Sequence, residues 1–263
     1  MQQFDKLSDR KRVGSLWGWL CNRQRKVATF FVLLCVVVFC ASGCSIFPGG
    51  QTTISSAQPL NVQQAPKARL TYVAIGASDT YGIGTDDPQT QSWPADLTNK
   101  LGSGVRLVNL GIPGVHADSA LHVEVPIALD SHPNLITIWL AVNDLADNVP
   151  LADYTRNMDR ILTQLQVLTP HTRILVANVP DVTLLPRFQT ANIDELHARI
   201  SAYNTAIASL VQQHHVLLVD LYARWQALAN HPDYISNDGF HPNAYGYIAI
   251  AAIFYQVLQE NTK

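Results

Sequence analysis

The chain has 263 residues and a formal net charge of −2 at neutral pH, enough length for one large domain or two small ones. The near-neutral total hides an asymmetry, since residues 1–26 carry seven Lys/Arg against two Asp/Glu and the remainder carries eleven against eighteen. A mildly acidic body with scattered basic residues lacks the clustered Lys and Arg that phosphate binding requires, so no nucleic-acid partner is expected.

The first feature in chain order is the apolar run VATFFVLLCVVVFCASG at 27–43, directly preceded by Arg23, Arg25 and Lys26. Seventeen uncharged residues behind a basic flank form a membrane-directed segment, at the short edge of what spans a bilayer. The small residues Ala41, Ser42 and Gly43 before Cys44 resemble a bacterial lipobox. That resemblance implies cleavage before Cys44 and lipidation of its thiol, with Ala41 standing where leucine is usual. The alternative is an uncleaved single-pass anchor. Either way the basic flank stays inside and everything after Cys44 is expected outside the cytoplasm. Residues 45–68 are rich in Ser, Gln, Pro and Gly without a sustained period and read as a flexible linker. The expected organisation is therefore an anchor segment at 1–44, a linker at 45–68 and one domain at 69–263. All four cysteines, Cys21, Cys35, Cys40 and Cys44, precede that domain, which excludes thiol nucleophiles, cysteine metal sites and disulfides from it.

Within the domain, strands are predicted at Leu70–Ile75, Val105–Leu110, Leu135–Leu140, Ile174–Val179 and Val216–Val219, each apolar on both alternating faces, the pattern of buried parallel strands. Helical spacing marks Trp93–Leu101, Ala117–Leu129, Tyr154–Leu168, Ile193–His214 and Asn243–Leu258. Alternating strands and helices predict an α/β sandwich, and ligands of such open sheets sit at the carboxyl ends of the strands. That rule selects GASDT at 76–80, GIPG at 111–114, AVND at 141–144, PDVT at 180–183 and the region after Val219.

Ser78 follows the first strand on a turn that Gly76 permits. A serine at such a position is commonly a helix cap; to act as a nucleophile it needs a base, and the base needs an orienting carboxylate. Asp238 and His241, three residues apart in DGFH, supply both. A second match, Asp194 and His197 in DELH, sits at a helix start, where Asp194 reads more simply as a cap or dipole partner and His197 as a helix-surface residue. Acyl transfer also needs donors aimed at the developing oxyanion, and Gly114 and Asn143 are placed to provide them. As alternatives, Asn143 can form a loop Asx-turn, and Gly111 and Gly114 can be turn glycines near Pro113. His214 and His215 end a helix before a strand, a capping context rather than a metal site.

Taken together, these ordered blocks resemble the SGNH, or GDSL, hydrolase family. VAIGASDTYGIG is similar to its first block with the nucleophile at Ser78, VNLGIPG to the second with Gly114, WLAVND to the third with Asn143, and DGFHPNAYGY to the fifth with Asp238 and His241. The likeness runs from about Leu70 to Leu258. It implies a three-layer α/β/α sandwich on a five-stranded parallel sheet, flavodoxin-like in arrangement, acting as a monomer. It also implies a metal- and cofactor-free serine esterase: Ser78 attacks an ester, His241 takes the proton, Asp238 orients the imidazole, and the Ser78 N–H, Gly114 and Asn143 form the oxyanion hole. Two departures stand out: Ala77 replaces the family's aspartate in GDS, leaving Asp79 after the serine instead, and Ala141 replaces a glycine.

The resemblance spans lipases, lysophospholipases, thioesterases and carbohydrate acetylesterases, and a membrane tether favours lipid or acetylated-carbohydrate esters. Val182, Leu184, Leu185 and Phe188 either line an acyl pocket or close the core under their loop, and Trp93 and Trp139 are expected in the core. The alternatives to hydrolysis are an acyltransferase with another acceptor and a non-catalytic surface-anchored binding protein on the same fold.

Overall fold

A computed structural model describes residues 68–224 and 231–261. The anchor segment, Cys44 and the linker up to residue 67 lie outside the described residues. Five strands form one sheet: β1 (Leu70–Gly76), β2 (Val105–Asn109), β3 (Leu135–Trp139), β4 (Arg173–Ala177) and β5 (Leu217–Val219). Their spatial order is β2-β1-β3-β4-β5, and every pairing is parallel. Parallel neighbours cannot be joined by hairpins, so each connection must cross a face of the sheet, which is why helices alternate with strands.

Those helices are α1 (Ser78–Tyr81), α2 (Pro88–Gln91), α3 (Trp93–Leu101), α4 (Ala117–Asp130), α5 (Val142–Ala146), α6 (Leu151–Leu168), α7 (Ile193–Gln213) and α8 (Ala244–Glu260). One outer layer pairs α3 with α8, and the other packs α4, α6 and α7 side by side, giving the three-layer α/β/α sandwich. The predicted strands and long helices are all present with ends shifted by up to three residues. The largest shift is in α6, which begins at Leu151 behind Pro150 as its N-cap, a place where proline's fixed φ suits a helix start. The short helices α1, α2 and α5 span only four or five residues, too few to show a 3.6-residue period.

The sheet is the core. Tyr72, Val73, Ala74 and Ile75 of β1, and Ile136 and Ile138 of β3, are wholly buried. The one polar pair between these strands is self-satisfied, with the Tyr72 hydroxyl 2.9 Å from Thr137 Oγ1. Trp93 stacks on Phe254 with centroids 4.2 Å apart, fastening α3 to α8, and Tyr154 meets Tyr203 at 4.9 Å, fastening α6 to α7. Buried aromatic side chains of this kind contribute about 2–3 kcal/mol each by removing apolar surface from water.

Two local features oppose stability. Ala141, the N-cap of α5, has φ +102°, a left-handed conformation that crowds any Cβ. Glu124 of α4 is wholly buried, and neither carboxyl oxygen is in full hydrogen-bonding geometry with a donor, the facing Gly76 N–H included. Burial pushes its pKa up to about 8, and the Gly76 N–H pulls it only part of the way down.

Ala141→Gly should raise unfolding free energy by about 1 kcal/mol, read from the denaturant midpoint, because glycine relieves the positive φ. Glu124 makes a pH-dependent prediction. The unfolded chain releases this proton near pH 4.5, whereas the folded chain retains it to about pH 8, so stability falls as pH rises across that window. Glu124→Gln should flatten the fall, being more stabilising at pH 8 than at pH 5 by roughly 3 kcal/mol; equal shifts in melting temperature at both pH values would contradict the assignment.

Candidate active site

The carboxyl ends of β1, β2 and β3 deliver three of the blocks selected from the sequence, and the loop before α8 delivers a fourth. Gly76 ends β1, and a Cβ there would lie 2.7 Å from the Trp139 carbonyl oxygen and 2.1 Å from Thr80 Oγ1, so only glycine allows the chain to turn tightly into α1. Ser78 is the first residue of α1 rather than its cap, which is Ala77. Its side chain is free to point outward from the turn.

Ser78 Oγ lies 2.9 Å from His241 Nε2, and His241 Nδ1 lies 2.5 Å from Asp238 Oδ2. With its proton on Nδ1, the ring donates to the carboxylate and accepts from the serine hydroxyl. The second DELH match does not join this group. Asn192, not Asp194, caps α7 by accepting from the Glu195 N–H at 3.3 Å, and Asp194 lies in the first turn. His197 is more than a surface residue, since its Nε2 lies 3.0 Å from Thr183 Oγ1 and thereby ties α7 to the 181–183 turn. His214 caps the end of α7 and lies between Gln166 and Asp159 of α6 at 2.9 and 2.8 Å.

The Asp238–His241 pair is set by its own segment. Asp238 Oδ1 accepts from Ser236 Oγ at 2.8 Å, from the Phe240 N–H at 2.8 Å and from the His241 N–H at 2.9 Å. Gly239 turns the chain with φ +71°, and the Ser236 N–H closes the loop onto the His241 carbonyl at 2.8 Å. Desolvation raises the Asp238 pKa, but the hydrogen bonds from His241, Phe240 N–H, His241 N–H and Ser236 outweigh it and hold the carboxyl well below the usual carboxylate range. It is therefore ionised across neutral pH and able to favour a protonated imidazole. This turn docks tightly on the serine side: a Cβ at Gly84 would meet the Pro242 carbonyl at 2.3 Å, and Tyr247 of α8 donates its hydroxyl to Ile83 O at 2.6 Å.

On the opposite side, Asn143 of α5 donates one Nδ2 hydrogen to the Val115 carbonyl at 3.0 Å. The other amide hydrogen remains available, and Asn143 is thereby brought beside Gly114. Gly114 has φ +79° and open space where a Cβ would project. Asp144 supports the same corner by accepting from the Ala117 N–H, at 3.2 and 3.3 Å to its two oxygens. Burial pushes its pKa up to about 6, against that N–H and the nearby His116. Asn109 is a further connector that motif reading misses. Its amide donates to Thr80 O at 2.7 Å while its carbonyl accepts from the Gly111 N–H at 3.0 Å, locking the serine turn to the glycine loop. Gly111 itself packs against that turn, since a Cβ there would lie 2.3 Å from the Tyr81 nitrogen.

The 180–188 loop divides the four residues expected there. Val182 and Leu185 are buried, Leu184 is 48% exposed, and Phe188 packs edge-on against Phe240 at 5.8 Å. Val182 and Leu185 join Asp79, Trp139, Val142, Pro180, Phe240 and Pro242 around a recess of about 10 Å³. Trp93 and Trp139 are both buried, as expected of core residues. A groove of about 440 Å³ lies beside Tyr81, Pro88, Gln89, Leu107 and Asn109. A cavity of about 500 Å³ bordered by Arg173, Ile174 and Leu217 opens at the amino ends of β4 and β5, away from the serine.

Comparison with known proteins places this geometry in a family. Residues 74–249 match the GDSL-like Lipase/Acylhydrolase family model. The chain is 26% identical over 184 residues to GDSL esterase/lipase CPRD49 of Arabidopsis thaliana, covering 64% of this chain and 72% of that protein. Among solved structures, the psychrotrophic esterase EstA from Pseudoalteromonas sp. superposes with a TM-score of 0.59 at 17% identity, over 73% of this chain and 97% of that one. The acetyl xylan esterase AlAXEase does so with a TM-score of 0.56 at 17% identity, over 71% and 98%. A serine, histidine and aspartate joined at the carboxyl edge of a five-stranded parallel sheet, within a family match covering most of the domain, make this chain a member of the GDSL-like lipase/acylhydrolase family, a carboxylic ester hydrolase.

Proposed function

We propose that the chain is a membrane-tethered, extracytoplasmic esterase that works through an acyl-serine intermediate on lipid or acetylated-carbohydrate esters. The observation that carries the mechanism is the continuous hydrogen-bonded line from Asp238 through His241 to Ser78, at 2.5 and 2.9 Å. Ser78 Oγ attacks the ester carbonyl as His241 Nε2 removes its proton. Asp238, ionised and hydrogen-bonded to Nδ1, stabilises the imidazolium that forms. The tetrahedral oxyanion is met by the Ser78 and Gly114 N–H groups and by the Asn143 amide hydrogen left unused by Val115. The imidazolium then protonates the leaving alcohol, and water attacks the acyl-serine with His241 again acting as base, releasing the carboxylic acid and restoring the serine.

The tether rests on the sequence: the basic flank, the apolar run at 27–43 and Cys44 support an anchored leader, and residues 45–68 supply a linker between membrane and domain. Among the described residues no helix is long and apolar enough to cross a membrane. Such tethering concentrates the enzyme near envelope esters, and the acetyl xylan esterase among its structural neighbours supports including acetylated carbohydrates among them. We take the working unit to be a monomer.

A fluorescent alkyl phosphonate incubated with the full chain should label Ser78, with loss of label in Ser78→Ala; labelling that survives this substitution would refute the assigned nucleophile. Asp238→Asn should lower kcat about 10³- to 10⁴-fold, and Asn143→Ala about 10²- to 10³-fold, both on a simple acetate ester and with unchanged circular dichroism.

A further inference from the structure

Glu124 has no part in the mechanism above, yet the fold pays stability to keep it. It lies on the face of α4 that packs over β1, where every other buried side chain of the helix, Ala117, Ala120, Leu121, Val125 and Ala128, is apolar. Glu124 is wholly buried among them, and neither of its oxygens is fully hydrogen-bonded. A methionine of similar volume would carry no such penalty.

The polar group that the carboxyl faces is the Gly76 N–H, at the end of β1 and two residues before Ser78. The Gly76 carbonyl already accepts from the Ile112 N–H at 3.0 Å, so Glu124 addresses the other backbone group of the residue on which the chain turns toward the nucleophile. About two helical turns earlier, α4 begins at Ala117, whose N–H is held by Asp144, and the Val115 carbonyl just before it is held by Asn143. The helix therefore bears on the oxyanion donors at two points. Its start is fixed beside Gly114 and Asn143, and Glu124 meets the backbone that leads to the Ser78 N–H.

We propose that Glu124 is a positioning residue for the oxyanion hole: by meeting the Gly76 N–H it fixes the serine turn to α4 and so sets the Ser78 N–H relative to the donors at Gly114 and Asn143. The assignment rests on the ester-hydrolase reading of the same site. Glu124 touches no reacting atom, and no bond is made or broken there. Its effect falls on the transition state, because oxyanion donors act most strongly on the charge that develops there, and ground-state binding is left nearly unchanged.

The test compares wild type, Glu124→Met and Glu124→Gln in the full chain, by initial rates on a simple acetate ester at neutral pH and by melting temperature. Burial keeps the carboxyl protonated to about pH 8, so glutamine reproduces its shape and its carbonyl acceptor, whereas methionine keeps the volume and removes the acceptor. Glu124→Met should lower kcat about tenfold, less than the loss of an oxyanion donor itself, with KM changed by less than about twofold and a melting temperature no lower than wild type. Glu124→Gln should keep kcat within about threefold of wild type. Activity lost without stability, and retained by the amide, is not what a packing role gives. If Glu124→Met fails to fold by circular dichroism, Glu124→Leu carries the same expectations. An unchanged kcat in the apolar variant, an equal loss in Glu124→Gln, or a loss that appears in KM instead of kcat overturns the proposal while leaving ester hydrolysis intact. Failure of wild type to hydrolyse the ester in a Ser78-dependent manner overturns the ester-hydrolase reading, and this inference with it.

Discussion

Every strand of a parallel sheet ends at the same edge, and that constraint organises this molecule. The crossovers demanded by parallel pairing carry the chain back across the faces, so each return deposits a new loop beside the previous ones. Ser78, Gly114 and Asn143 are separated by tens of residues in the chain, yet they follow β1, β2 and β3, which are adjacent in the order β2-β1-β3. The apolar interior that holds those strands in register is thus also what sets the spacing of these three residues. His241 and Asp238 come from outside the strands and have to be held against that edge by other means: the close approach of Gly84 to Pro242 and the Tyr247 hydroxyl on Ile83.

Much of this was legible in the sequence because it is written in local patterns. The two-sided apolar runs marked the strands, and GAS, GIPG, AVND and DGFH marked the loops that meet at the carboxyl edge of the sheet. Residues whose value depends on a distant partner were not legible. Asn109 looks like an ordinary residue at a strand end, but its amide joins Thr80 to Gly111. Asp144 shows nothing in its neighbours to connect it with the Ala117 N–H, and Val115 contributes only a carbonyl, which every residue has. The 180–188 loop shows the same limit: Leu184 and Leu185 are adjacent and chemically identical, but one faces solvent and the other the recess.

The two departures from the family pattern have different physical consequences. Ala141 keeps the left-handed backbone that a glycine would adopt freely, so the cost is local strain, tolerated because the Leu145 N–H to Ala141 O bond at 2.8 Å and the burial of Leu145 hold α5 in place. Ala77 removes a carboxylate from the serine turn altogether. The carboxyls beside that turn in the described structure are the partly buried Asp79, one residue beyond the serine, and the buried Glu124, whose pKa responds to the Gly76 N–H.

The hydrogen bonds that shape Asp238 all originate between Ser236 and His241. With three donors on Oδ1, the carboxylate cannot rotate without breaking several bonds at once, and Oδ2 is left to the imidazole alone. The Asp238–His241 half of the site is consequently a locally hydrogen-bonded turn, held from outside by the Arg187 N–H on the Gly239 carbonyl at 3.1 Å. Changes elsewhere in the protein can shift where this turn lands on the sheet edge, but the hydrogen bonds on Asp238 stay within those six residues.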